Sequence, residues 1–421
     1  VIEMREFESA GGEMMIGGVS ALKIAEKYGT PVYVTDETAL RDNFRRIRSA
    51  FCDRMRTRIH YACKANSNLA ILRILEKEGS CIDAVSIGEV DICLRAGFSP
   101  DRILYTGVAV SDAELEGVVV RGVMVNIDST SEMRRLAAIA DNLDVSFRVN
   151  PAVGAGHHEH VVTGAKDSKF GIPKQKVLET YREAIELGLR PVGIHAHIGS
   201  GSLNPQPFVE VTEVLVELAN QLEELGISLD FIDIGGGIGI PYRPGEKGID
   251  VEQLAEAVCS VVRECSTVET LVIEPGRYII ADTTVLLTRV VDLKESGNKR
   301  YAGVDAGFNT LIRPSFYGSY HHLAIANKFD SPGELTYDVV GPICESGDFL
   351  GRDRLLPRVE EGDLVAVYDA GAYGFVMSSQ YNSRPRCSEV LVREGRVSLI
   401  RERESLDDLL RHQRVPSRLM L

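Results

Sequence analysis

The chain has 421 residues, 44% of them hydrophobic and 26% charged with both signs interspersed, the balance of a folded globular protein and not of a disordered one. Its 47 basic and 61 acidic residues leave a formal charge of −14, with no dense Lys/Arg stretch, which argues against nucleic acid as a partner. No run approaches the roughly 18 apolar residues of a membrane span, and the early glutamates are not the start of a signal peptide, so a cytoplasmic protein with no membrane partner is expected.

This length exceeds one ordinary core, so two domains are expected. The early run "TPVYVTDE" (30–37) is a predicted strand ahead of any repeating pattern; residues 1–40 are assigned to an N-terminal segment whose strand pairs with a C-terminal sheet. Eight apolar, β-rich runs follow: "RIHYAC" (58–63), "CIDAVS" (81–86), "RILYTG" (102–107), "GVMVNID" (122–128), "DVSFRVN" (144–150), "PVGIHAHI" (191–198), "LDFIDIG" (229–235) and "TLVIEPG" (270–276). Stretches of helical period separate them. In one, Phe208, Val211, Leu215, Leu218, Leu222 and Leu225 recur at threes and fours before Gly226; another runs from a capping Asn68 to Gly79. Eight such units predict an α/β fold over residues 41–283, a (β/α)8 TIM-like barrel, ahead of an open doubly wound sheet with its usual five or six strands. From 284 to 421 the runs "TVLLTRVVDLKE", "ELTYDVVGP", "DLVAVYDAG" and "CSEVLVREGRVSLI", divided by Gly, Pro and Asp, predict a second, mostly antiparallel β domain, barrel- or sandwich-like. "ESLDDLLRHQRV" near the end reads as a short surface helix.

A parallel barrel opens its site at the C-terminal strand ends, which selects among the polar residues. Lys64 ends the first run, where its amine could form an imine with a carbonyl; a solvated loop lysine is the other reading. His195 and His197 share a strand side by period two, His197 nearer the mouth and able to stack on a flat ring, His195 one layer down. "DIGGGIGIP" (233–241) lets the backbone approach an anion, although a tight turn explains three glycines equally well. Glu274 in "VIEPGRYI" could face a pyridine nitrogen or pair with Arg277. His157, His158 and His160 suggest a loop over the mouth more than a metal site, and the eight cysteines form no C-x-x-C pair, so no metal and no disulfide are expected. "GPICESGDFLG" and "DAGAYGF" have the composition of binding loops, with turn chemistry as the alternative.

Together "YACKAN", "HAHIGS", "GGG", "EPGR", "CESGD" and "AYG" resemble the fold-type III pyridoxal-phosphate decarboxylases, the alanine-racemase-like barrel group, and within them those acting on diaminopimelate. The resemblance covers about residues 30–400. It implies pyridoxal 5′-phosphate as cofactor, with Lys64 on its aldehyde, His197 on the ring face, and Ser200 with Gly235, Gly236 and Gly237 at the phosphate. It places Glu274 at the ring nitrogen and Gly276 and Arg277 beside the cofactor, with Arg277 also reaching the substrate carboxylate. Asp83, Arg148 and Tyr373 follow as cofactor-pocket residues, Tyr373 near substrate as well. Arg313 and Tyr317 would hold the distal carboxylate end, Glu345 the distal amine, and Cys344 would serve catalysis, the last two presented by the second subunit of a homodimer with shared sites.

The implied reaction is decarboxylation of meso-2,6-diaminopimelate to L-lysine and CO2, the last step of lysine biosynthesis. Arginine's planar fork suits a second carboxylate, so Arg277 and Arg313 favour such a substrate over cationic ornithine or arginine. A decarboxylase for another diamino acid, a racemase using Tyr373 as second base, and a non-catalytic carrier of the cofactor are the competing readings.

Overall fold

The computed structural model describes residues 3–152, 168–265 and 268–420; the predicted loop with His157, His158 and His160 lies outside them. The chain divides into two compact units, one spanning Ala39–Ala281 and the other joining Arg5–Thr38 to the chain from Asp282 on.

In the first unit eight parallel strands close on themselves: β1 (Thr57–Ala62), β2 (Cys81–Ala84), β3 (Ile103–Tyr105), β4 (Met124–Ile127), β5 (Asp144–Asn150), β6 (Arg190–His195), β7 (Phe231–Asp233) and β8 (Thr270–Ile273). Neighbours pair in sequence order, and β8 pairs with β1 to complete the expected TIM-like barrel. Most strands stop earlier than their apolar runs. Cys63 to Ala65 form a turn of 3-10 helix, and the backbone leaves the ladder after His195, Asp233 and Ile273, so the last residues of each run curl over the mouth. The helix Gln206–Glu224 buries Phe208, Val211, Leu215, Leu218 and Leu222, while Leu225 caps it and Gly226 takes φ 78 just beyond. Asn68 caps Leu69–Lys77 through its side chain, which accepts from Ala70 N–H at 2.9 Å.

In the second unit Thr284–Ser296 pairs antiparallel with Val32–Asp36, with Lys299–Val304 and with Leu364–Val367. Two pairings are parallel, Ser388–Arg393 on Val32–Asp36 and Lys299–Val304 on Leu335–Val340; the rest of this sheet is antiparallel. Alternate residues serve two cores: Tyr33, Leu286, Val365 and Val367 pack on one side, Val32, Val34, Val285, Leu287 and Ala366 on the other. A sheet covered on both faces accounts for apolar runs without alternation. The helix Leu406–Leu410 is capped by Ser405 and exposes Leu406 and Leu410. Among the described residues no helix is long and apolar enough to cross a membrane.

Two buried groups in the barrel unit titrate in opposition. Burial pushes the His60 imidazole from 6.5 down to about 4. The unfolded chain therefore binds the extra proton in that window, and stability falls as pH drops through it, by at most roughly 3 kcal/mol. Burial raises the Glu132 carboxyl from 4.5 to about 7, so the folded chain keeps a proton the unfolded chain has lost and stability falls as pH rises there, by a similar roughly 3 kcal/mol. The two slopes oppose each other between about pH 4.5 and 6.5. Glu132→Gln removes one, so its urea midpoint should climb with pH across that window more steeply than wild type, while His60→Asn should show the reverse tilt. Parallel profiles in all three proteins would contradict this assignment.

Candidate active site

The turn after β1 sets Lys64 at the mouth, where its Nζ donates to Asp83 Oδ2 at 2.6 Å. The parallel register that opposes Ala62 to Asp83 brings the two together. Asp83 is fully buried, and its carboxyl is raised to about 6 by burial and by the charge of Glu274, against the opposing pull of Lys64. Lys64 borders a cavity of about 340 Å³ whose wall also includes Thr106, Arg148, Phe170, His195, His197 and Glu274. Such a volume suits a small cofactor.

His197 Nδ1 accepts the N–H of Gly236 at 2.9 Å, which leaves the ring proton on Nε2. Burial, then the nearby Arg148 and Lys64, hold its imidazole well below the usual range, so a neutral flat ring faces the cavity. Arg148 lies over the Phe170 ring at 4.4 Å. His195 Nε2 stands 3.1 Å from Glu274 Oε2, with both residues buried. Burial alone would raise Glu274; the charge and hydrogen bond of His195 outweigh it and hold the carboxyl well below the usual range. Glu274 Oε1 is buried with no hydrogen-bond partner among the described residues.

The glycine loop after β7 clasps the loop after β6: Gly201 and Ser202 N–H both donate to Gly237 O, at 3.0 and 2.9 Å. A side chain at Gly236 would put Cβ 2.1 Å from the Glu274 carbonyl oxygen, a backbone atom that has no room to yield. Gly236→Ala should therefore push the Glu274 backbone outward and weaken cofactor retention by at least about tenfold, read by equilibrium dialysis; unchanged retention would show that the loop adapts. Arg277 spans the same region, donating to Ser200 Oγ at 3.0 Å and to Tyr242 OH at 2.6 Å. Gly276 packs on Ala62 and Ala65, beside the Lys64 turn.

The other expected residues belong to the second unit. Arg313 is buried and donates to Ala372 O and Ser319 Oγ, both at 3.3 Å. Tyr317 ends the short helix Arg313–Tyr317 and is half-buried. Tyr373 has φ 57, a left-handed conformation rare for a bulky side chain. Cys344 and Glu345 are exposed; Asn382 Oδ1 accepts the Cys344 N–H at 3.0 Å, and Glu345 accepts from Tyr381 OH at 2.7 Å. Buried Asp348 ties down this loop by accepting from Phe308 and Ile343 N–H. Sequence reasoning missed Asp233, His60 and Tyr242. Asp233 alone left a signal, a charged residue closing the apolar run "LDFIDIG".

A lysine at the mouth, a neutral ring on one wall and a buried carboxylate with one unsatisfied oxygen fit a phosphorylated pyridine aldehyde, which places the barrel among proteins built around pyridoxal phosphate. Residues 37–281 match the family model "Pyridoxal-dependent decarboxylase, pyridoxal binding domain". The chain is 53% identical over 418 residues to the diaminopimelate decarboxylase of Methanothermobacter thermautotrophicus, covering 97% of each, and 46% identical over 423 residues to that of Archaeoglobus fulgidus, covering 98% of this chain and 100% of the relative. A crystal structure of diaminopimelate decarboxylase from M. jannaschii in co-complex with L-lysine superposes with a TM-score of 0.92 at 34% identity, covering 98% of each chain. The chain belongs to the pyridoxal-dependent decarboxylase family, in its diaminopimelate decarboxylase branch.

Proposed function

We propose that this protein decarboxylates meso-2,6-diaminopimelate to L-lysine and CO2 with pyridoxal 5′-phosphate, closing lysine biosynthesis in the cytoplasm. The observation that carries the chemistry is the Lys64 ammonium, 2.6 Å from buried Asp83, on the cavity that Glu274 also lines. The substrate follows from kinship with named diaminopimelate decarboxylases over nearly the whole chain.

When bound, pyridoxal phosphate supplies an electron sink for the pair left behind by departing CO2. Lys64 is the residue that binds its aldehyde carbon, and Asp83 orients that amine until it does so. His197 packs on the ring face as a neutral imidazole. Glu274, kept ionised by His195, holds a proton on the ring nitrogen. Gly235 N–H is taken by Asp233 and Gly236 N–H by His197, so the phosphate contact falls to Gly237, Ser200 and Arg277.

By family resemblance we assign Arg313 and Tyr317 to the distal carboxylate and Tyr373 to contact with cofactor and substrate. Cys344 and Glu345 act from the other chain of a homodimer, a role supported by their exposure on a loop anchored by Asp348. The test is a product assay following lysine and CO2. Diaminopimelate should exceed ornithine and arginine in kcat/KM by about 10³-fold or more, because those substrates leave buried Arg313 facing no carboxylate. Equal efficiencies would refute the assignment.

A further inference from the structure

The parallel registers put Arg148 opposite His195 and His195 opposite Asp233, a row across β5, β6 and β7; Asp233 in turn opposes Val272, two residues before Glu274. One potential ligating atom from each of His195, Asp233 and Glu274 lies within 4.8 Å of the others, and all three residues are buried. Asp233 Oδ1 accepts the Gly235 N–H at 2.8 Å. Its Oδ2 is buried and has no partner among the described residues, as is also true of Glu274 Oε1.

Two carboxyl groups this close, away from water, do not both ionise. Their surroundings decide which keeps the proton. Glu274 has the His195 ring nitrogen at 3.1 Å, whereas Asp233 has one peptide N–H. The other charged or titratable groups bearing on the pair are Asp83, Arg148, Lys64, His197 and, from β1, His60. Burial first, then the charge of Glu274, push the Asp233 carboxyl well above its ordinary range.

We infer that Asp233 is a positioning residue: it retains a proton on its own carboxyl facing Glu274, and so leaves Glu274 as the one anion offered to the ring nitrogen. The inference rests on the reading of Glu274 as partner of that nitrogen. Asp233 also anchors the glycine loop through Gly235, so one side chain ties the two ends of the cofactor site together.

The test is infrared difference spectroscopy on full-length holoenzyme carrying ¹³C in its aspartate carboxyls, subtracting Asp233→Asn from wild type at neutral pH. The difference should contain the C=O stretch of a buried protonated carboxyl, moved by the label and by deuterium oxide; carboxylate stretches alone would overturn the proposal. Asn is a neutral isostere that still accepts from Gly235 and donates toward Glu274, so kcat should stay within about threefold, while Asp233→Leu should lose about thirtyfold or more. Equal losses in the two variants would overturn it as well. Should the leucine variant not fold, Glu274→Gln supplies the second reading: the wild-type band should rise in frequency once the O–H no longer faces an anion, and an unmoved band would count against the pairing. Wild-type turnover on the same preparation reads the decarboxylase assignment separately, since its failure would leave the band in place.

Discussion

Replacing Lys64 with alanine should lower kcat for decarboxylation by about four orders of magnitude or more, the expected consequence of removing the group proposed to make the covalent link to the cofactor. The fold should survive the change. Asp83 loses the ammonium that pulls its carboxyl down toward about 6, and a fully buried carboxyl without that partner takes up a proton instead of remaining as an unpaired charge. Relative to wild type, the variant's stability should therefore fall as pH rises above about 6, where its folded Asp83 still holds a proton that wild type has released, and match wild type more closely near pH 5. Borohydride treatment of wild type followed by peptide mapping should place the label on residue 64, and Lys64→Ala should carry none. A label on any other side chain would remove the basis of the proposed mechanism.

The sequence made the barrel and the upper rim of its site readable because both are periodic features. Eight apolar runs count strands, and a polar residue ending a run marks the mouth, which is how Lys64, His197 and Glu274 stand out. The contacts between them depend on register. Asp83 sits inside "CIDAVS" with nothing local to distinguish it, and it meets Lys64 because β1 and β2 pair with Ala62 opposite Asp83. The same holds for Asp233, which reaches His195 and Glu274 through the offsets of β6, β7 and β8. His195 was legible as a second-layer histidine, but its hold on Glu274 arises from residues 79 positions apart. In the second unit, Thr284–Ser296 buries its first half on both faces and exposes its second, so its burial changes along a single strand and no one period describes it. The expected roles of Cys344 and Glu345 depend on a second chain, and no pattern within one chain encodes that.

Glu274→Gln isolates the electronic part of the mechanism from the steric part. Glutamine has the same shape and still offers an oxygen to His195 Nε2, so the cavity wall and cofactor retention should change little. It carries no charge, however, and cannot compensate a proton on the ring nitrogen, so kcat should fall by about 10²–10³-fold, or roughly 3–4 kcal/mol. Glu274 lines the cavity with His195 and is not one of the groups proposed to read the substrate's far end, so KM should stay within about threefold. The pH dependence sharpens the test. Because His195 holds the carboxyl well below its usual range against the opposing effect of burial, wild-type Glu274 is ionised throughout the working range, and the ratio of wild-type to variant kcat should be flat from pH 6 to pH 9. A ratio that collapsed toward one at acid pH would mean that Glu274 titrates there, and that another group supplies the negative charge at the ring nitrogen.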